Sequence, residues 1–200
     1  MSLVIYGCGG HARSVADVAL SSGVEHLVFI DERAQENEKI FDFDVLTNFK
    51  DQYNKLCIVA VGDNRERALI FNKLIIGDSP VISIISNTAY LGKNAEYDLG
   101  VFVGHAAHIG PYAKIGDATL INTHCIIEHE CIVGKYCHIS VNAVLAGRTK
   151  IGDFVTIGAG ATVIDGLNIC SNVVIGAGAV VVEDICEPGV YVGVPARKVG

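Results

Sequence analysis

Tryptophan is absent from the 200 residues, methionine occurs once and proline four times. Charge is scarce as well, at 18% of residues against 50% hydrophobic. That balance excludes an intrinsically disordered chain, which combines low hydrophobicity with high net charge. Basic residues are outnumbered: 15 Lys and Arg stand against 22 Asp and Glu, for a formal net charge of −7. A surface of that sign repels phosphate backbones and anionic lipid, so neither nucleic acid nor a membrane is an expected partner. Glycines and polar residues interrupt each apolar run before it is long enough to span a bilayer. No basic stretch precedes the apolar residues near the start, so no signal peptide is read there. Cys-x-x-Cys is missing too. The seven cysteines, at 8, 57, 125, 131, 137, 170 and 186, are odd in number and fit reduced thiols in the cytoplasm better than a disulfide framework or a zinc site. What is plentiful is glycine, 22 residues, among Val, Ile, Leu and Ala, a composition that favours strands over a helical bundle.

The pattern divides the chain near residue 87, giving regions 1–86 and 87–200. In the first, apolar runs alternate with helix-like stretches. Strands are expected at Leu3–Tyr6, Leu27–Ile30, Leu56–Val61 and Val81–Ile85, and helices at His11–Ser21 and from about Asn64 to Ile75. Strands separated by helices imply parallel pairing with right-handed crossovers, here about half of a doubly wound dinucleotide fold. Gly7-Cys8-Gly9-Gly10-His11-Ala12 fits G-x-G-x-x-A after a strand, and Asp31 ends the next strand some two dozen residues later. Those are dinucleotide-binding features. A plain Gly-rich turn would look the same, and no hydride-transfer site accompanies it.

From Leu91 to Cys186 the chain reads as sixteen hexads without an insertion. The first position is aliphatic in fifteen of the sixteen, with Tyr97 the exception, and the second is Gly in eight. The fifth is always small or apolar. A period of six cannot keep a stripe on one face of a 3.6-residue helix, but it is the signature of a parallel β-helix. Three hexads close one triangular coil, the first and fifth positions point inward, and the prism stands about 25 Å tall at ~4.8 Å per coil. Glycine at the second position is expected to serve a turn with unusual backbone angles. The register disposes of one tempting cluster: Cys125, Cys131 and Cys137 all occupy the inward fifth position and act as small hydrophobes, so no metal is called for.

Outward positions collect His105, His108, His124, His129 and His138. The tightest constellation is Glu128-His129-Glu130, in which a carboxylate can orient the imidazole and support its protonated form, as a general base requires. Eighteen residues beyond His129, one coil on, stands Gly147, whose missing side chain is expected to leave room for a substrate. On spacing alone a solvated turn remains the competing reading. His105, His108 and His124 are read as surface or interface residues.

The hexad region resembles the left-handed β-helix acyltransferases. A narrower resemblance joins the Gly-rich region (IYGCGGHARSV, FIDE, AVGDNRER), the segment NTHCIIEHECIVGKYCHISVNAVLAG and the C-terminal VYVGVPARKVG to the bacterial nucleotide-amino-sugar N-acetyltransferases, relatives of the sialic acid O-acetyltransferases. The resemblance implies a Rossmann-like α/β nucleotide-sugar-binding domain over 1–86, followed by a left-handed parallel β-helix acetyltransferase domain with a C-terminal tail over 87–200. It places the catalytic base on His129 with Glu130 as its orienting partner, and His138 beside the acetyl thioester of acetyl-CoA. Gly147, Ala159 and Ala177 fall on positions lining the pantetheine groove, with Arg197 and Lys198 near coenzyme phosphates. Gly10 and His11 fall near phosphate or sugar, Asp31 and Glu32 at the base and ribose, and Asn64 nearby. A homotrimer with coenzyme between neighbouring prisms is implied. The reaction implied is N-acetylation of a nucleotide-linked 4-amino-4,6-dideoxy sugar for a surface glycan or protein glycosylation. O-acetylation of sialic acid and a non-catalytic binding role are the alternatives.

Overall fold

The structure is a computed structural model that describes residues 2–48 and 55–199. Its first region is a sheet in the order β3-β4-β2-β1-β5, built from β1 (Ser2–Tyr6), β2 (His26–Ile30), β3 (Lys39–Ile40), β4 (Phe43–Leu46) and β5 (Cys57–Val59). β1 pairs in parallel with both β2 and β5, as alternation with helices demands. Helix α1 (Gly10–Ser21) leaves the Gly-rich turn, and α2 (Asn64–Ile76) starts at Asp63, whose carboxylate accepts from the N–H groups of Arg65 and Glu66. The β3–β4 hairpin is not anticipated by the sequence reading. Its two-residue turn puts Phe41 and Asp42 in left-handed backbone, φ 51° and 67°, with no glycine to mark it.

Both sheet faces are covered. On one, Leu3, Ile5, Phe29 and Ile58 pack against α1 and against Phe102 and Leu120 of the second region. On the other, Val4, Cys57 and Val59 meet Phe71 and Leu74 of α2. The stretch expected as a fourth strand behaves differently. Val81 makes a single bridge to Cys57, while β6 (Ile84–Ile85) pairs with Phe102–Val103. Ile85 lies six residues before Leu91, in hexad phase, so β6 is the lowest rung of the prism rather than part of the first sheet.

The second region is a three-faced parallel β-helix whose rungs are offset by 18 residues, as in Phe102↔Leu120↔His138↔Thr156. That face, together with β6, carries the first region and is called the docking face. The second face runs through Tyr90–Leu91, His108–Ile109, Ile126–Ile127 and onward. The third runs through Glu96–Tyr97, Lys114–Ile115, Ile132–Val133 and onward. First- and fifth-position side chains form one continuous buried column. Cys125, Cys131 and Cys137 belong to it, fully buried, with Cys125 Sγ donating to the Ser140 carbonyl at 2.9 Å and Cys137 Sγ to Gly152 at 3.0 Å. Burial pushes the Cys125 and Cys137 thiols up to about 12.

The turn chemistry corrects one expectation. Unusual backbone angles fall on the fourth position of the hexad. All fifteen fourth positions from Asn94 to Gly178 have φ between 49° and 74°, most of them with full side chains such as Tyr112, Glu130 and Phe154. The twelve from Tyr112 to Gly178 are held there by stacking, each N–H donating to a carbonyl of the coil below, as Glu130 does to Pro111 and Tyr136 to Asp117. The second-position glycines answer a different need. A Cβ on Gly92, Gly110 or Gly158 would stand 2.5–2.6 Å from backbone nitrogen of the next coil.

Candidate active site

His129 and Glu130 sit on the edge between the second and third faces. The left-handed turn at Glu130 swings its carboxylate back beside the preceding ring, and His129 Nδ1 lies 3.1 Å from Glu130 Oε2. Donation from Nδ1 to that carboxylate leaves Nε2 with its lone pair, the arrangement a general base needs. The ring is half-exposed. Its position is set by Gly147 one coil on: a Cβ there would lie 2.5 Å from Nε2 and 2.6 Å from Cε1 of His129. The space expected to admit substrate is therefore filled by the imidazole itself, and Gly147 is buried beneath it.

His138 belongs to the docking face, opposite that edge of the triangle. Its Nε2 is 2.7 Å from Asn122 Nδ2, and the Gly62 backbone of the first region accepts a hydrogen bond from the ring. Burial and the neighbouring Arg67 guanidinium push its pKa down to about 4, so the ring is neutral at physiological pH. His11, in the first turn of α1, stands edge-on to Phe102 at 5.0 Å and 6.4 Å from His138 between ring centroids. Its Nε2 is buried without a hydrogen-bond partner, and burial, then His138 and Arg67, lower its pKa to about 3. Ala159 and Ala177 are exposed on successive coils of the edge that joins the docking and second faces, on the same side as Asn122. Within one chain, then, His129 faces one way and the His11–His138 pair another.

The Gly-rich turn is tightly built. Gly7 has φ +122°, and a Cβ on it would meet the Ala60 carbonyl oxygen at 2.8 Å. Gly9 caps α1 without a side chain, so the N–H groups of the first turn, Gly10 among them, have no capping side chain. Asp31 works inside this turn: Oδ2 accepts from Cys8 N at 3.1 Å and Oδ1 from Arg33 N at 2.9 Å. Burial raises its pKa, but the N–H groups of Arg33 and Cys8 outweigh burial and hold the carboxylate below its usual range. Gly7, Asp31, Glu32 and Arg33 line a cleft of about 900 Å³ that reaches Lys73 and Ser79. Asn64 turns away from it. Its amide nitrogen donates to Thr156 Oγ1 at 3.1 Å and its oxygen accepts from Arg67 at 2.7 Å, which commits it to the seam between regions. Arg197 and Lys198 are ion-paired with Glu183 and Glu187. Of the remaining histidines, His105 joins Ser86 at 2.7 Å to Asp17 of α1 at 3.1 Å, His108 stacks on Tyr90, and His124 is exposed.

Two residues escape the sequence reading. Asn122 is found by counting one coil: Leu120 underlies His138, and Asn122 is two residues along. Arg67 is a charge on the buried stripe Arg67, Ala68, Phe71, Leu74 of α2, and that misplacement is its signal.

Comparison with known proteins follows the same division. Residues 2–74 match the family described as the PglD N-terminal domain, and residues 148–183 match bacterial transferase hexapeptide (six repeats). The whole chain superposes on the acetyltransferase domain of PglB from Neisseria gonorrhoeae in complex with acetyl coenzyme A, with a TM-score of 0.94 and 31% identity, covering 99% of this chain and 98% of that one. It superposes equally, TM-score 0.94 at 29% identity, on a histidine-to-alanine variant of GDP-perosamine N-acetyltransferase from Caulobacter crescentus in complex with CoA and GDP-perosamine, covering 100% of this chain and 97% of that one. A curated relative, the acyl-[acyl-carrier-protein]–UDP-N-acetylglucosamine O-acyltransferase of Campylobacter concisus, is 30% identical over 107 residues, 47% of this chain, and the match spans only 37% of that relative.

Proposed function

The chain belongs to the left-handed β-helix sugar N-acetyltransferases that carry a PglD-type nucleotide-binding region, and from that premise we propose that it moves the acetyl group of acetyl-CoA to the 4-amino group of a nucleotide-linked 4-amino-4,6-dideoxy sugar. The observation that carries the mechanism is the His129–Glu130 pair with Nε2 seated over Gly147. As the amine attacks the thioester carbonyl carbon, Nε2 takes its proton. Glu130 steadies the resulting imidazolium through Nδ1–H. The tetrahedral adduct then expels the coenzyme thiolate, which is protonated as the amide forms. A covalent acyl-cysteine is disfavoured, since Cys125 and Cys131 point inward and burial holds both thiols protonated.

The cleft beside Gly7, Asp31 and Glu32 would take the nucleotide, with Gly10 and His11 toward its phosphates and sugar at the open end of α1. His138, with Ala159 and Ala177 along the adjoining edge, would take the thioester end of the coenzyme. Because His129 lies on the opposite edge of the same prism, a complete site needs His129 from a second copy, which supports a homotrimer with coenzyme between neighbours. Light scattering at three times the 21.2 kDa chain mass is expected, and a monomer would overturn this assembly. No helix among the described residues is long and apolar enough to cross a membrane. The proposed location is the cytoplasm, where acetyl-CoA and nucleotide sugars are made.

The test is thiol release from acetyl-CoA with UDP-, dTDP- and GDP-linked 4-amino sugars beside free sialic acid. Release with one amino sugar, lost in His129→Ala with KM little changed, supports both reaction and base. Release with sialic acid alone would assign O-acetylation instead. Full turnover by His129→Ala would remove that residue from the mechanism.

A further inference from the structure

The two regions meet along a seam laid out by the hexad register. Helix α2 runs beside the edge between the third and docking faces, where the left-handed fourth positions of four successive coils are Ala118, Tyr136, Phe154 and Asn172. Phe71 packs edge-on against Tyr136, Asn72 accepts from the Tyr136 hydroxyl, and Arg65 lies over Phe154 and donates to Asn172 at 2.8 Å. At the centre is Arg67, fully buried. Its guanidinium meets six acceptors and no carboxylate. From the first region these are the carbonyls of Val61 (2.9 Å) and Gly62 (3.0 Å) and Asn64 Oδ1 (2.7 Å). From the prism they are the carbonyls of Ala118 (2.7 Å), Tyr136 (3.0 Å) and Cys137 (3.0 Å). A flat fork of five N–H donors can bridge both sides at once; a lysine ammonium cannot.

The carbonyls it grips are not incidental. Val61 and Gly62 follow β5, at the rim of the sheet where this class of fold binds its nucleotide. Tyr136 and Cys137 lead directly into His138, and Gly62 is hydrogen-bonded to the His138 ring. Arg67 thus holds, through one rigid group, the strand end that faces the nucleotide and the turn that delivers His138. We propose that Arg67 is a positioning residue for acetyl transfer: it fixes the gap between His11 and His138, and with it the relation of the sugar-bearing region to the coenzyme-bearing prism. Nε2 of His11 is buried and unpartnered, with the ring 6.4 Å from that of His138 between centroids. The charged group acting on His138 is Arg67 from α2, and His138 in turn acts on His11 of α1; Asn122 of the prism is neutral.

The proposal rests on the transferase reading, and its test separates the two. In Arg67→Lys, Kd for coenzyme A and for the nucleoside diphosphate should stay near wild type, because the coenzyme is held by the prisms and the nucleoside diphosphate by the first region, neither across the seam. By contrast, kcat should fall about 30-fold or more, since a misplacement on the order of 1 Å costs up to ~100-fold. The His138 ring should also titrate at higher pH than in the wild type. Arg65→Ala, which removes the contacts to Asn172 and Phe154 from the same seam, should lower the melting temperature and leave kcat unchanged. If Arg67→Lys lowers only the melting temperature, or if Arg65→Ala loses as much kcat, Arg67 is a plain structural staple and the proposal fails. Should Arg67→Lys not fold, ring-nitrogen spectra of the wild-type protein decide. The His138 ring stays in one neutral tautomer from pH 8 to below the normal histidine range, or the proposal falls. A wild-type protein inactive on every acceptor would overturn the reaction instead, and the spectra would still judge Arg67.

Discussion

Gly147→Ala is the sharpest test of the catalytic geometry, because it alters neither the base nor its carboxylate. The backbone at Gly147 lies outside the left-handed region, so alanine is conformationally allowed there. Its Cβ would nevertheless stand 2.5 Å from Nε2, 2.6 Å from Cε1 and 3.2 Å from Cδ2 of His129, where 3.4 Å is ordinary contact. The ring must retreat by about 1 Å, and since it is half-exposed it can swing outward without disturbing the coil. A displacement of that size is expected to lower kcat about 100-fold, equivalent to ~2.7 kcal/mol of barrier. Stability should hold or rise slightly, because alanine restricts the unfolded chain by about 0.4–1 kcal/mol. Thiol release at saturating acetyl-CoA, read beside a thermal melt, separates the two effects. Gly116→Ala supplies the contrast. There the Cβ would meet the carbonyl carbon and oxygen of Gly134 at 2.8 and 2.9 Å, and backbone cannot step aside. That variant should lose about 1–3 kcal/mol of stability by overpacking and keep kcat per folded molecule. Wild-type kcat in Gly147→Ala would show that His129 does not act from the position described.

The depressed histidines make stability depend on pH. His11 and His138 hold pKa values near 3 and 4 when folded, against an ordinary 6.5, so the unfolded chain binds more protons below pH 6.5. Stability is then complete above pH 6.5 and falls on acidification toward pH 4, by about 2 kcal/mol for each ring taken singly between pH 7 and 5. Urea titrations at fixed protein concentration check this, and His138→Asn should flatten the slope; equal stability at pH 5 and 7 in the wild type would contradict the burial of both rings. Alkylation of the native protein should label exposed Cys186 first and leave Cys125, Cys131 and Cys137 intact by mass spectrometry, and early labelling of any of the three would break the inward assignment. Asp31→Ala removes the acceptor for the N–H groups of Cys8 and Arg33, and should cost about 1–2 kcal/mol and raise KM for the nucleotide sugar, with KM for acetyl-CoA unmoved. An unchanged sugar KM would detach the Gly-rich turn from substrate binding.

The prism was legible because its rule is periodic. Once Leu91, Ile109, Ile127 and Leu145 are seen to recur at 18 residues, the inward column and the fate of the cysteines follow. The same rule, carried one step further back, would have moved Ile84–Ile85 into the prism; four apolar residues beside a helix look equally like a parallel strand. What periodicity does not carry is backbone conformation. Glycine at the second position advertises a turn, yet the left-handed residues are Tyr112, Glu130 and Phe154, tolerated because the coil below accepts each N–H. Local propensity is overruled there by stacking, and sequence alone gives no sign of it. The β3–β4 hairpin was hidden for the same reason, with Phe41 rather than glycine at its turn.

The site was half legible, and the missing half is the part made by geometry across the chain. His129 and Glu130 are neighbours in sequence, so their pairing is visible at once. His11 and His138 are separated by 127 residues and meet because the first region docks on the prism, α1 against Phe102 and Leu120 and α2 along one edge. That docking depends on where fourth positions fall in the 18-residue coil, so Ala118, Tyr136, Phe154 and Asn172 form a ladder that no local window contains. Yet Arg67 could have been suspected. A guanidinium on the buried stripe of a helix requires more acceptors than its own helix can provide, and three of the six it finds are carbonyls of a stacked coil. A charge placed against the apolar pattern is therefore evidence of a partner surface. Here that surface is the prism turn that carries His138, so the side chain that crosses the seam also touches the turn proposed to hold a reacting group.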